Sequence, residues 1–346
     1  MPNDVLTRAI DSVCSGTHLT ADHASAVLDE IMTGQAGEVQ TAAFLVALRA
    51  KGETVAELVG LARTMRRLSA EVNAGRDDLV DTAGTGGGPS TFNISTAAAL
   101  VAAGAGCAVA KHGNRSSTSR CGSADLLEAL GVTIDLGPAE VARCIEEVGF
   151  GFMFAPRYHA AMRHVVPVRR ELAVRTIFNF LGPLTNPAGA VRQLLGVSDI
   201  HYQETIAEAL VGLGCERALV VRSSDGVDEI SVSGPTRVIE VAEDRTDEWF
   251  VRPEEVGIAE ADLERIAGGR PEENAATVER VLAGEDGAAR DVVLLNAGAA
   301  ILVGGGAGDL PGALARARES VDSGAAREVL SRLVEVTGRL ASSGDF

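Results

Sequence analysis

Apolar residues follow two different periodicities along the chain. Up to about residue 70 they recur at spacings of three and four, as in "LTADHASAVLDEIM" and "VAELVGLARTMRRL". This is the pattern of amphipathic helices, and Thr20 stands where the N-cap of one of them is expected. The first part of the chain is therefore predicted to be helical.

Short aliphatic segments then alternate with amphipathic ones, which predicts strands joined by helices and a mainly parallel sheet covered on both faces. The predicted strands are "DLVDT", "CAVAK", "VTIDL", "FGFMF", "QLLGV", "RALVV" and "PTRVIEV". We expect an α/β protein with a small all-helical N-terminal domain (1–72) and a large α/β domain (73–346). A helical segment near 158–185 is expected to leave the sheet and pack on the N-terminal helices.

Composition narrows the class of protein. A net charge of −17 argues against a nucleic-acid-binding surface, which needs a basic face. The apolar run 97–110 has 14 residues, fewer than the ~20 that span a bilayer, and the N-terminus lacks signal-peptide features. Five cysteines without a C-x-x-C pair predict reduced thiols. A cytoplasmic protein with no membrane or nucleic-acid partner is expected.

The segment "GTGGGPSTFNIST" (84–96) places four glycines in five residues, after a predicted strand and before a helix expected to begin near Asn93. Glycine in regular structure costs roughly 0.5–1 kcal/mol relative to alanine, so this density needs a reason. A tight turn needs fewer glycines, whereas N–H groups at a strand–turn–helix junction can hold phosphate. The segment is neither a Walker loop nor a complete dinucleotide fingerprint. Taken alone, it leaves both alternatives open.

A second polar loop, "KHGNRSSTSRCGSAD" (111–125), follows the neighbouring predicted strand. It combines cations, an amide and hydroxyls, which suit phosphate and diphosphate oxygens. Lys111 is one of only two lysines in the chain. The presence of two such loops on neighbouring strands favours a phosphate site over a solvated loop.

Long motifs resemble the anthranilate phosphoribosyltransferase family in order and spacing. They are "GTGG…TFNIST", "KHGNRS…GSADLLEALG", "FMFAPRYHAAMRHVVPVRRELAVRTIFNFLGPLTNP", "DGVDEIS" and "LNAGAAILVGG", and the resemblance runs from about residue 5 to residue 340. It implies a homodimer with the active site between the two domains. It also implies phosphoribosyl transfer from 5-phosphoribosyl 1-diphosphate (PRPP) to the amine of anthranilate, with Mg²⁺, in tryptophan biosynthesis.

The resemblance implies three sets of site residues. The donor set is Gly84, Gly87, Thr91, Asn93, Ile94, Ser95, Thr96, Lys111, His112, Gly113, Asn114, Arg115, Ser116, Ser117, Thr118, Ser119 and Ser123. The anthranilate set is Gly84, Asn114, His159, Arg169 and Pro183, and the metal set is Ser95, Asp228 and Glu229. No general acid or base is assigned, because an aromatic amine is already nucleophilic and positioning suffices.

Some alternatives remain open in the sequence. Arg169 suits a carboxylate because a guanidinium forks onto it, and Arg170 and Arg175 are the next candidates if they are not structural. The stretch Gly88-Pro89-Ser90 is shorter than the family pattern and lacks its acidic residue, and Arg222 replaces a histidine common in the family. A pyrimidine nucleoside phosphorylase and a non-catalytic nucleic-acid-binding relative of the same fold are the rival functions.

Overall fold

Four helices open the chain in a computed structural model that describes residues 2–116, 120–242 and 244–343. They are α1 (Asp4–Cys14), α2 (Ala21–Met32), α3 (Glu38–Lys51) and α4 (Val55–Arg67). The Thr20 hydroxyl accepts a hydrogen bond from the His23 N–H, which confirms the predicted N-cap of α2. Thr54 and Glu57 form a capping box at the start of α4.

One seven-stranded sheet follows, with the strand order β3-β2-β1-β4-β5-β6-β7. The strands are β1 (Val80–Gly84), β2 (Val109–Gly113), β3 (Phe150–Phe154), β4 (Arg192–Gly196), β5 (Arg217–Ser223), β6 (Thr236–Ala242) and β7 (Arg245–Val251). The first five in this spatial order pair in parallel, whereas β6 and β7 are antiparallel. The chain moves outward from β1 to β3 and then returns to β4, so the topological switch point lies between β1 and β4.

Helices cover both faces of this sheet. Those after β1 are α5 (Ile94–Gly104), α6 (Ser123–Ala129), α7 (Pro138–Val148), α8 (Ala155–Tyr158), α9 (Val166–Leu172), α10 (Phe178–Leu181), α11 (Gln203–Gly212), α12 (Pro271–Leu282), α13 (Ala288–Val303), α14 (Leu310–Asp322) and α15 (Ala325–Ser343). Neighbouring strand residues point to opposite faces. Leu194 therefore packs in the cluster that contains α5 and α13, while Leu195 packs with the N-terminal helices and α11.

The segment after β3 joins the second of these clusters. Val165, Val168 and Phe178 pack with residues of α1–α4, and α9 contacts α3. The predicted fold class, a small helical domain with a large, mainly parallel α/β domain, is confirmed. The exact boundary between residues 72 and 73 stays a prediction.

One strand prediction was wrong, and one strand was missed. The segment "VTIDL" is not a strand, because the Thr133 N–H donates to the Thr337 hydroxyl of α15 at 3.2 Å instead of to a sheet partner. The sequence pattern also missed β7, an edge strand whose side chains are mostly exposed. Within the described residues, no helix is long and apolar enough to cross a membrane.

Candidate active site

A cavity of about 1160 Å³ opens at the carboxyl ends of β1 and β2. Single ligands usually occupy ~300–1,000 Å³, so this volume can hold two small substrates. The predicted site residues that line it are Gly84, Gly87, Thr91, Asn93, Ser95, Lys111, His112, Gly113, Asn114, Arg115, Ser116, Ser123, His159, Arg169, Pro183, Asp228 and Glu229. The other predicted residues do not line it in the described part of the chain: Ile94 and Thr96 are buried in the core, and Ser117, Thr118 and Ser119 lie outside the described residues.

At the end of β1 and just after it, side chains pack so closely against the glycines that a β-carbon would collide with them. A β-carbon on Gly84 would lie 2.4 Å from Asp228 Oδ2, and one on Gly87 would lie 2.7 Å from Arg175 Nη1. Gly87 also has a φ of 90°, which side chains rarely tolerate. The glycine loop is therefore closely packed between an acid and a guanidinium, which a simple turn would not require.

Three groups hold the peptide units of Gly86 in place. Its N–H donates to Asp228 Oδ2 at 2.8 Å. Its carbonyl oxygen accepts hydrogen bonds from Ser198 Oγ at 2.6 Å and from Arg175 Nη2 at 3.2 Å. Segments from three separate parts of the chain thus meet at this one residue, which fixes the loop relative to the sheet.

Lys111 lines the cavity but is deeply buried in its wall, with only 2% of its surface exposed. Its ammonium donates to the carbonyl oxygen and hydroxyl of Thr82, at 2.5 and 3.1 Å, and to Ser95 Oγ at 3.4 Å. Burial lowers the pKa of Lys111 to about 8, although the charges of Asp81 and Glu229 oppose that shift. The three donors of the ammonium already have protein partners, so Lys111 places positive charge beneath the loop.

Asp228 and Glu229 form the acidic part of the wall. Burial raises the pKa of both carboxyls, and the charge of Asp228 raises that of Glu229 further, well above its usual range. The Oε2 atom of Glu229 has no hydrogen-bond partner among the described residues. The pair is therefore costly to ionise until a cation joins it. No cluster of three or more acidic, histidine or cysteine side chains suited to a metal ion occurs in the described ranges.

A paired carboxylate with an unpartnered oxygen suits a hard divalent ion. Magnesium usually takes one or two carboxylates, together with water and substrate phosphates. The hydroxyl of Ser95 lines the same cavity and lies near Lys111. These three residues, for which the family resemblance implies metal binding, are thus chemically compatible with Mg²⁺.

His112 and His159 also line the cavity, and their rings lie 5.0 Å apart between centroids. Burial lowers the pKa of His112 to about 3 and that of His159 to about 4. Both imidazoles are therefore neutral at pH 7. Pro183 lines the same cavity.

The guanidinium of Arg169 lines the cavity and is open to a ligand. It lies 5.6 Å above the Phe178 ring, and within the described ranges it has no hydrogen bond or ion pair. Burial lowers the pKa of Arg169, but a guanidinium remains charged at neutral pH. Arg170 is exposed and does not line the cavity, and Arg175 is bonded to Gly86.

Family models match both parts of the chain. The helical bundle domain of a glycosyl transferase family matches residues 7–69, and the α/β domain of a glycosyl transferase family matches residues 76–327. The anthranilate phosphoribosyltransferase of Symbiobacterium thermophilum is 55% identical over 95% of this chain and 96% of its own length. That of Rubrobacter xylanophilus is 53% identical over 98% of this chain and its full length. The chain belongs to the anthranilate phosphoribosyltransferase family.

Solved structures of this family are also similar. The anthranilate phosphoribosyltransferase of Thermus thermophilus is 47% identical, with a TM-score of 0.91 over 95% of this chain and 99% of its own. The Saccharomyces cerevisiae enzyme, solved in complex with PRPP and Mg, is 27% identical, with a TM-score of 0.88 over 97% of this chain and 98% of its own.

Two residues singled out in the sequence analysis have protein partners in the structure. Arg115, assigned to the donor, donates to Asp125 and Glu128 at 2.9 Å each, so much of its charge is already neutralised. Arg222, at the position of the family's histidine, does not line the cavity but donates to the Ser198 carbonyl at 3.1 Å. It thus supports the residue that holds Gly86.

Sequence reasoning missed Ser198 and assigned Arg175 only as an alternative anion clamp. A signal for Ser198 was present, because "GVSD" follows the strand that pairs with β1 at the switch point. No comparable signal pointed to the contact between Arg175 and the glycine loop, because the two lie 89 residues apart in sequence.

Gly84→Ala is expected to destabilise the protein by about 1–3 kcal/mol, because the new methyl group overlaps Asp228 Oδ2. Urea unfolding measures this free energy. Gly308→Ala is the matched control, since nothing lies within 4 Å of its β-carbon position. Equal stability of the two variants would contradict the close approach of Asp228 to β1.

Proposed function

We propose that the chain transfers the phosphoribosyl group of PRPP to the amine of anthranilate, giving N-(5-phosphoribosyl)anthranilate and diphosphate, in tryptophan biosynthesis. The observation that carries this proposal is the open guanidinium of Arg169, in a cavity whose other walls are two phosphate-type loops and an acid pair. Anthranilate has a carboxylate beside its amine, so a forked grip on the carboxylate determines where the amine points.

The chemistry requires leaving-group stabilisation. As the bond to the diphosphate breaks, positive charge develops on the sugar and negative charge on the diphosphate. N–H groups fixed in advance, together with nearby cations, stabilise such charge without reorganising. The hydrogen bond between Gly86 and Asp228 fixes the glycine loop, and the buried Lys111 ammonium places positive charge beneath the loop.

We infer that Asp228, Glu229 and Ser95 would hold Mg²⁺ together with oxygens of the donor. When bound, the ion neutralises charge on the diphosphate. The unpartnered Glu229 oxygen and the raised pKa values of both acids support this assignment, because a nearby cation favours their ionised forms.

No general base is needed in this proposal. An effective base has a pKa near the working pH, whereas those of His112 and His159 are about 3 and about 4. The two neutral rings, tilted 55° to each other, instead provide an uncharged surface beside which an aromatic acceptor can pack. The amine reacts because Arg169 and these rings orient it towards the sugar.

An assay of the purified chain tests the function directly. With PRPP, anthranilate and Mg²⁺, anthranilate fluorescence should fall as product and diphosphate form. A pyrimidine nucleoside phosphorylase would instead cleave pyrimidine nucleosides in the presence of inorganic phosphate. Cleavage of nucleosides without loss of anthranilate would overturn the proposal.

Replacing Asp228 and Glu229 together by Asn and Gln should abolish transfer while the fold persists. The amides keep the shape of the side chains but remove the charge that binds Mg²⁺. In wild type, Mg²⁺ with PRPP should raise the melting temperature, and the variant should lose this shift. Wild-type turnover by the folded variant would contradict the metal assignment.

Arg169→Ala should lower kcat/KM for anthranilate by roughly 10- to 100-fold, as expected for loss of a charge-assisted contact worth about 1.5–3 kcal/mol. The KM for PRPP should stay near normal. Aniline, which lacks the carboxylate, should be a poor substrate for wild type and no worse for the variant.

The matched control is Arg170→Ala, because Arg170 is exposed beside Arg169 and does not line the cavity. If Arg169→Ala stays within about twofold of wild type, the carboxylate is bound elsewhere. An equal loss with aniline would show that Arg169 supports the fold and not the acceptor.

We further propose a homodimer that assembles through α3 in the cytoplasm. Val39 and Val46 lie two turns apart on this helix and are 84% and 45% exposed. The cysteines are all free thiols, as in cytosolic proteins.

Light scattering should therefore give twice the chain mass of 35.7 kDa. Substituting Val39 and Val46 by Glu should give the single-chain mass, because burying two charges in an apolar interface is costly. Phe250→Glu, at a half-exposed position on β7, should leave the dimer intact. A dimeric double variant would place the interface elsewhere.

A further inference from the structure

Asn274, on α12, lies behind the glycine loop and does not line the cavity. It is 3% exposed, and its side-chain amide bridges two segments. Its Oδ1 accepts from the Gly269 N–H at 2.7 Å, and its Nδ2 donates to Asn93 Oδ1 at 2.9 Å. Asn93 in turn donates from Nδ2 to the Cys121 carbonyl at 3.1 Å. One chain of amides thus connects α12 with the two polar loops of the cavity.

This arrangement keeps Asn93 from capping its own helix. Asn93 is the N-cap of α5, a position where asparagine normally accepts a hydrogen bond from the second or third helical N–H. Here its side chain makes no such bond, because its hydrogen bonds with Asn274 and with the Cys121 carbonyl hold the amide in another orientation. The N–H of Ser95, the second helical residue, has no acceptor among the described residues, and Ser95 lines the cavity.

The backbone around Asn274 holds it in place without help from a ligand. The Phe92 N–H donates to the Ile266 carbonyl, and the Gly268 N–H donates to the Ser90 carbonyl, both at 3.1 Å. These bonds clamp the end of the glycine loop to the segment that precedes α12. The register between Asn274 and Asn93 is therefore set by the fold.

We propose that Asn274 is a positioning residue that holds the Asn93 amide away from the end of α5, so that the Ser95 N–H stays available for a phosphate oxygen of the donor. The inference rests on the proposed function, which identifies PRPP as the phosphoribosyl donor. Without Asn274, the Asn93 oxygen is free to turn and accept from Ser95. The Asn93 oxygen then competes with the phosphate of PRPP for the Ser95 N–H.

The test compares wild type with Asn274→Ala. The KM for PRPP should rise about five- to tenfold, the size expected from competition with an N-cap hydrogen bond. The KM for anthranilate should stay within about twofold. Thr277→Ala is the matched control, because this residue lies one turn along α12 and its hydroxyl bonds to Glu273 and Arg280 of the same helix.

Amide hydrogen exchange in the free protein provides a second readout. In Asn274→Ala, exchange at Ser95 should become slower, because the released Asn93 side chain caps it. A merely structural role would instead make exchange faster along α5. Faster exchange, or an equal rise of both KM values, would overturn the proposal.

A second variant and the exchange measurement allow the possible outcomes to be distinguished. If Asn274→Ala fails to fold, Asn274→Asp keeps an oxygen acceptor for the Gly269 N–H and replaces the N–H donor to Asn93 by a carboxylate oxygen. Two oxygens then face each other, so the Asn93 oxygen should turn away and the KM for PRPP should rise as in Asn274→Ala. If wild type shows no anthranilate transfer, the proposed function fails. The exchange measurement still decides whether Asn274 keeps the Asn93 side chain from capping α5.

Discussion

Asp228 lies so close to the ends of β1 and β4 that both strands must end in glycine. A β-carbon on Gly84 would lie 2.4 Å from its Oδ2, and one on Gly196 would lie 1.5 Å from its carbonyl oxygen. These two glycines are paired in register at the switch point. Asp228 and Glu229 can therefore lie over the carboxyl ends of these two strands, where the Asp228 carboxylate accepts a hydrogen bond from the Gly86 N–H. The position of the glycine loop follows from that contact.

The cations around the cavity differ in how much of their hydrogen-bonding capacity a ligand can use. Lys111 donates to Thr82 and Ser95, and Arg115 is paired with two acids. Arg175 is bonded to the glycine loop, while the guanidinium of Arg169 has no hydrogen bond or ion pair in the described ranges. A net charge of −17 thus coexists with a cavity suited to anions, because local placement and not total charge determines the potential there.

Strands buried on both faces were predictable, since aliphatic runs between helical segments are specific to parallel sheets. The segment "VTIDL" shows the same alternation but bonds through Thr133 to α15, a partner that no local pattern reveals. In the cavity, the polar residues at strand ends were predictable, because parallel strands bring these ends together. Ser198 could have been found in the same way, since it follows β4, but Asn274 could not, because it acts on a side chain 181 residues away in sequence.

The shortened loop after the glycines determines where acidic charge can lie. Its residue Ser90 accepts a hydrogen bond from the Gly268 N–H, and Thr91 forms a β-bridge with Ala267. This backbone pairing holds the loop, which has no carboxylate of its own. Among the described residues that line the cavity, Asp228 and Glu229 are the only acids. In the proposed function, a divalent cation that requires carboxylate oxygens therefore has one place to bind in this cavity, and the loop N–H groups that are not bonded to Asp228 or Gly196 are available for phosphate.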